Sequence, residues 1–274
     1  MQSTMFFEQF RQRIRVRPRK PMPRAGWSLL GVAVILLVWQ VVTLLQLYPT
    51  FIIPPPAQVA ERFYEAAIDG QLWLHTSTTL FQMLGGLVIG VSLAMVTGYL
   101  IAQNSTLEAL LSPVIVAVQS TPVVAYAPLL VIWFGSGATS KVITSALIVF
   151  FPMLMNTIIG IREVPAAQRE LMNALSATRL QTLIKLEIPA ALPVLLGGLK
   201  VSATLSVIGA VVGEFVSAEA GLGRLINIAR FDYDTPLVFV AVIMLALIAR
   251  TMYGLITLLE RRLLRWQQAR AEAM

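Results

Sequence analysis

Residues 162–193 read REVPAAQRELMNALSATRLQTLIKLEIPAALP, and the reading of this stretch decides the fold. It is the only long polar interruption between the hydrophobic runs that is rich in both signs of charge. Pro165 stands where a first-turn proline costs no hydrogen bond, so a helix can begin there. Leu171 and Leu175 lie four apart on one face of that helix, with Ala174 and Thr178 on an adjoining face. Arg179 and Lys185 come late, where positive charge suits the carbonyl end of a helix, and Pro189 predicts a stop or a bend. Two readings follow. One is a short helix clamped between two membrane spans, offering a small apolar face to another protein; the other is a solvated loop helix.

The composition around it sets the class. Of 274 residues, 57% are hydrophobic and 13% charged, with a mean hydropathy of +0.76. A soluble domain carries about a quarter charged residues. Several uncharged runs exceed the ~18 residues that mark a spanning helix, so the chain is expected to be a polytopic membrane protein. The net charge of +7 raises nucleic acid as a partner. Its distribution argues against that, because the basic residues sit at the ends of apolar runs. With no cysteine and one histidine, His75, neither a disulfide framework nor a Cys/His metal cluster is expected. The first 25 residues are too long and too arginine-rich to read as a cleaved signal.

In chain order, residues 1–25 form a basic, proline-punctuated arm suited to an anionic membrane surface. Residues 26–47 are uncharged and predict a first span with Trp27 and Tyr48 as its aromatic belt. Phe51 to Pro56 predicts a stiff extended connector. After it comes an amphipathic segment from Ala57 to Ile68, with Val59 and Phe63 on one face. Residues 71–107 carry no acid, lysine or arginine and hold a second span, where Gly86 and Gly90 form a close-packing pair. A third span runs from about Ala109 to Phe134. Its Pro113, Pro122 and Pro128 predict a kinked or broken helix. Ser120, Thr121 and Tyr126 around the middle proline are candidates for a pathway wall; simple bending is the alternative. Gly135 to Lys141, GSGATSK, has the look of a phosphate loop but lacks the Gly-Lys pair and the following Ser or Thr, so it reads as a short outer loop.

A fourth span is expected from Val142 to Ile161, and a fifth from near Leu192. Gly198, Ser202, Ser206 and Ala210 recur every four residues along the fifth, the pattern of close helix approach or of a passage for solute. Lys200 and Glu214 bracket that stripe. An ionisable group there needs a partner, water or a snorkelling route. Glu214 is a candidate gate, with a surface cap as the alternative. A loop with a short helix from Arg224 to Arg230 leads to a sixth span, Pro236 to Leu259. The basic tail over 261–274 follows, so that residues 26–260 form one six-span domain. With both termini inside, the inner segments hold 15 basic residues and the outer ones 4. That asymmetry predicts cytoplasmic termini and a cytoplasmic segment over 162–189.

The spacing from Glu170 through Ser176 to Pro189 resembles the EAA motif of binding-protein-dependent ABC transporter permeases. Leu171 and Met172 stand for its two alanines, Ser176 for its glycine, Leu186 for its isoleucine and Ile188 for its leucine. Ser176-Ala177-Thr178-Arg179 is similar to the family's Gly-Ala-Ser-Arg. Pro128 to Gly135 (PLLVIWFG), Phe151-Pro152, and VVGEF followed by GLG look like the nitrate, sulfonate and taurine subgroup. GAVVGEFVSAEAGLG, with residues 234–239, looks more like permeases for riboflavin or thiamine-pyrimidine precursors. The resemblance covers residues 50–266 or so.

It implies an all-α membrane protein with the six transmembrane helices of a type I ABC importer permease, multi-pass in a bacterial inner membrane, moving a small solute. The implied solutes are an anion such as a sulfonate, taurine or nitrate, or a small heterocycle. It implies a cytoplasmic coupling helix in which Glu170, Leu171, Ala174, Leu175, Ser176, Ala177, Thr178, Arg179 and Pro189 meet the ATPase. The implied partners are a second copy of the chain, two ATP-binding subunits and an extracytoplasmic solute-binding protein, with ATP and Mg bound by the ATPase and no cofactor on this chain. Two other classes find less in the residues. An ion-gradient-driven secondary transporter calls for paired mid-membrane acids and inverted repeats. A membrane enzyme calls for a convergent acid, base or nucleophile set.

Overall fold

A computed structural model describes residues 24–265, with side chains from residue 30 onward, and among the described residues it is helical without strands. Most of the expected basic arm, the Trp27 side chain and residues 266–274 lie outside that range. The chain divides into two compact units, residues 1–56 and 57–274.

In the first unit, α1 (Arg24–Leu44) is a 21-residue helix. The proline connector after it is not the extended rod that its composition predicts. Ile52 N and Ile53 N both donate to Pro49 O, at 2.9 and 3.2 Å, and make a turn. The Trp39 indole N–H then donates to Pro54 O at 3.0 Å, which draws the connector back along the helix.

The second unit opens with α2 (Pro56–Ile68). Its buried face is Val59 and Ala66, seven apart, whereas Phe63 is 40% exposed. The expected Val59/Phe63 face is therefore rotated. Arg62 accounts for the rotation: its Nε donates to Asp234 Oδ2 at 2.7 Å, and Asp234 Oδ1 in turn caps the last long helix by accepting from Leu237 N. The same hydrogen bond holds the Arg62 guanidinium above its ordinary pKa.

Among the described residues, four helices are long and apolar enough to cross a membrane: α3 (Gln71–Gln103), α6 (Ala138–Arg162), α8 (Arg179–Val216) and α10 (Thr235–Leu263). Helices α3, α6 and α8 form the core, with Ala94, Ile101, Met153, Leu154, Ile158, Ala191 and Leu195 packed together. Small residues permit the approach. A Cβ on Gly90 would stand 2.6 Å from Ala146 O, and one on Gly209 would stand 2.5 Å from Ser145 Cα. Both neighbours are backbone and have no way to give.

The proline-rich third span is broken, as its composition predicts. Helix α4 (Ser105–Ser120) is capped by Asn104 Oδ1, which accepts from Thr106 N and Leu107 N. It stops at Thr121, which takes extended backbone ahead of Pro122. A single turn over Val123–Ala125 leads to α5 (Ala127–Phe134), with Pro128 in its first turn. The shorter apolar stretches of the all-α fold are residues 30–44 of α1 and helix α4.

Three boundaries differ from expectation. Helix α6 begins at Ala138, so Lys141 belongs to the helix and only residues 135–137 remain as loop. Pro189 ends nothing, and α8 runs through it for 38 residues, starting at Arg179 instead of near Leu192. The backbone widens before it to a π-helical turn over Leu183–Glu187, in which Ile188 N donates to Leu183 O. That five-residue reach places the proline, which has no N–H, in the first turn of the α-helical stretch. Lys200 does not extend towards water: it pairs with Glu260 on α10 and lies 5.8 Å above the Tyr253 ring.

Candidate functional site

Two polar assemblies mark opposite ends of the core, roughly 40 Å apart along α3. The first surrounds α7 (Ala166–Ala174), the short helix of the opening stretch. Pro165 is its cap, with Pro165 O accepting from Gln168 N at 3.0 Å. Its far end is closed by a pair of reversed hydrogen bonds. Ala177 N donates to Met172 O at 3.0 Å and Ser176 N to Asn173 O at 2.9 Å, with Ser176 in the left-handed region at φ 52°. Thr178 then caps α8 through a reciprocal box with Gln181. Two caps within three residues make this turn stiff.

The helix faces outward. Leu171 is 59% and Leu175 69% exposed. What holds it is polar. Arg169 Nη2 donates to Ile161 O, the end of α6, at 2.6 Å and lies 3.4 Å from Glu187 Oε1 on the π-turn of α8. Glu187 is 3% exposed and also accepts from Gln103 Nε2 of α3 at 2.9 Å. One arginine thus joins the outward helix to the ends of three core helices. Arg162 adds a bidentate pair with Glu108 of α4, at 2.7 and 2.6 Å.

The second assembly is the clasp at the other end. Glu214, 1% exposed, accepts from Thr79 Oγ1 at 2.7 Å and from Gly223 N at 2.6 Å. Thr79 Oγ1 in turn accepts from Leu222 N at 2.8 Å. His75 Nδ1 lies 3.0 Å from Gly221 N and 2.8 Å from Gly221 O, so one tautomer accepts there and the other donates. Gly221 has φ 129°, and a Cβ on it would fall 2.2 Å from the Glu214 carboxyl. The segment before α9 (Leu222–Phe231) is therefore sewn to α3 and α8.

Residues 86–265 match the family described as binding-protein-dependent transport system inner membrane component. The chain belongs to that family. It is 48% identical to the riboflavin transport system permease protein RibX of Chloroflexus aurantiacus, over 92% of this chain and 96% of that one. It is 32% identical to the putative aliphatic sulfonates transport permease SsuC of Bacillus subtilis, over 93% of both chains. Its identity with the taurine permease TauC of Escherichia coli is also 32%, over 92% and 94%. Among solved structures, the inward-facing MetNI methionine ABC transporter matches with TM-score 0.59 and 19% identity, over 72% of this chain and 95% of that one. An amino acid ABC transporter matches with TM-score 0.54 and 22% identity, over 74% and 96%. The protein is a multi-pass permease subunit of an ATP-driven ABC importer, and an ATPase and a binding protein are the partners that its family implies.

In this permease, Glu170, Leu171, Ala174, Leu175, Ser176, Thr178 and Arg179 are exposed along α7 and its turn, while Ala177 and Pro189 are half-buried. Ser120 and Thr121 stand at the break of the third span, with their hydroxyls turned onto Val116 O and Ala117 O, and Tyr126 closes the following turn. Ser202 and Ser206 are fully buried in the core, where Ser145 Oγ donates to Ser206 O at 3.0 Å. Glu214 lies wholly inside the clasp. Sequence reasoning missed Arg169, Glu187 and Gln103. The available signal was Glu187 itself, an acid immediately before Ile188-Pro189 at the threshold of an apolar run.

Proposed function

We propose that α7 is the coupling helix of this permease and that Leu171 and Leu175 dock into a separate ATP-hydrolysing subunit. The observation that carries this reading is the pairing of two exposed leucines with the Arg169–Glu187 tie. A partner closing on the leucines pushes through Arg169 on the ends of α3, α6 and α8 together. Only a partner with different affinity for two arrangements of these helices drives a change between them. ATP and Mg belong on that partner, two copies of which serve a homodimer of this chain. Both termini and α7 are cytoplasmic, in keeping with 15 basic residues on that side against 4 on the other. Solute arrives from an extracytoplasmic binding protein. The 48% identity to a riboflavin permease favours a small flat heterocycle over a sulfonate. The break at residues 121–126, flanked by Ser120, Thr121 and Tyr126, suits a pathway wall better than the buried Ser202–Ser206 stripe does. Glu214 acts at the clasp as a fixed post for the segment before α9.

The test is reconstitution of the permease with its ATPase and binding protein in liposomes. Leu171→Glu with Leu175→Asp is expected to abolish ATP-dependent uptake and release the ATPase from the complex. Uptake at the wild-type rate would overturn the docking assignment.

A further inference from the structure

The stretch GSGATSK, residues 135–141, ends on a buried lysine. Lys141 is 1% exposed, inside the core end of α6. Its Nζ donates to Ser136 O at 2.5 Å and to Ser140 Oγ at 3.3 Å, and among the described residues no carboxylate lies within 4 Å of it. Glu214 and Glu219 act on it only through space. A buried ammonium held by two neutral acceptors is costly and keeps one N–H to give.

Beside it is a cavity of about 200 Å³, lined by Thr78, Gln82, Ser136, Gly137, Lys141 and Glu219, among others. Two further donor sources face this space. One is the N-terminus of α6, whose first-turn N–H groups point out of the helix and whose cap, Gly137, has no side chain to meet them. The other is Gln82, 3% exposed, whose Oε1 is an acceptor without a partner; it becomes a donor to the cavity with the amide turned, so that Nε2 takes that position.

We propose that this cavity is an oxyanion site, in which the Lys141 ammonium, the α6 N-terminus and the Gln82 amide hold a sulfate-like or sulfonate-like group. Glu219, exposed at the rim, and Glu214, which acts on Lys141 through space, both weaken the site. The assignment does not depend on which solute the permease moves. The oxyanion comes either from a free inorganic ion or from the head of an organic solute.

Equilibrium binding of radiolabelled sulfate to the full chain in lipid nanodiscs tests it. Wild type is expected to bind saturably, one sulfate per chain, and Lys141→Met to lose that binding. Gln82→Leu removes a group with an unpartnered oxygen, keeps Lys141, and is expected to weaken binding roughly tenfold. Glu219→Gln is expected to tighten it several-fold. Competition by methanesulfonate at equal strength assigns the site to a solute's head group; its failure to compete assigns it to the free ion. No saturable binding to wild type, or binding unchanged in both Lys141→Met and Gln82→Leu, overturns the proposal.

Discussion

The two ends of the core solve opposite problems. At the clasp, the carboxylate of Glu214 and the hydroxyl of Thr79 are buried and bonded to the backbone of residues 222 and 223. At α7, two leucines stand in the open on a helix that is braced from behind. A polar group inside and satisfied stabilises the chain by itself, whereas an apolar group outside on a rigid mount gains only when something covers it. The clasp is complete within the chain, and α7 is built to be completed from outside.

The largest effect is expected at the clasp. Gly221→Ala puts a Cβ 2.2 Å from the Glu214 carboxyl at a φ of 129°, where L-residues are strained as well. More than about 4 kcal/mol of stability is expected to be lost, seen as a collapse of the monodisperse peak in thermal-ramp size exclusion. A mild effect would mean that the clasp is loose and shares the open character of the other end.

The next largest effect is expected behind α7. Glu187→Ala leaves Arg169 and Gln103 without their shared acceptor beside an open cavity, at a cost of about 1–2 kcal/mol. Glu187→Gln keeps the size and one acceptor and is expected to cost less. Both should lower uptake per ATP hydrolysed in reconstituted vesicles, because the brace and the push share the same residues. A variant that lost stability but kept its uptake-to-hydrolysis ratio would separate the two roles.

Ser176→Gly sharpens the contrast in the other direction. Ser176 holds φ 52° in the double-bonded turn that ends α7, a region that glycine enters freely. Relief of that strain is expected to add ~1 kcal/mol, read as a rise in thermal midpoint with uptake unchanged. The local pattern predicts one helix carrying Leu171, Thr178 and Arg179 towards Pro189, whereas α7 ends at Ala174 and α8 starts at Arg179; the long apolar spans were legible from their lack of charge. Local chemistry also announced the broken third span, since Pro122 allows no other outcome for Thr121. What stayed hidden was register between segments far apart in the chain. Lys200 meets Glu260 across 60 residues and Glu214 meets Thr79 across 135. Nothing in the local pattern tells whether an acid near the end of a span faces a pathway or a neighbouring backbone. The stop that Pro189 predicts does not occur for a related reason, because the stop rule assumes an α-helical register and the chain supplies a π-turn instead.

Leu175→Asp is expected to change the fold least and the function most. Leu175 is 69% exposed and its backbone N–H is already bonded to Leu171 O at 3.0 Å, so the isolated permease should keep its thermal midpoint within about 0.5 kcal/mol. A carboxylate in a groove shaped for leucine is unpaired and desolvated, which opposes docking by several kcal/mol. The expected pattern is an intact, well-folded permease that no longer retains its ATPase on an affinity column. Equal retention of wild type and variant would place the covered surface elsewhere. The chain has no cysteine, so Leu175→Cys gives a companion measurement without background. A membrane-impermeant maleimide should label it in open membranes, and ATPase added first should block the reaction. Protection at Leu175→Cys but not at Glu219→Cys would confine the unfinished surface to the α7 end of the molecule, where the brace of Arg169 and Glu187 can use it.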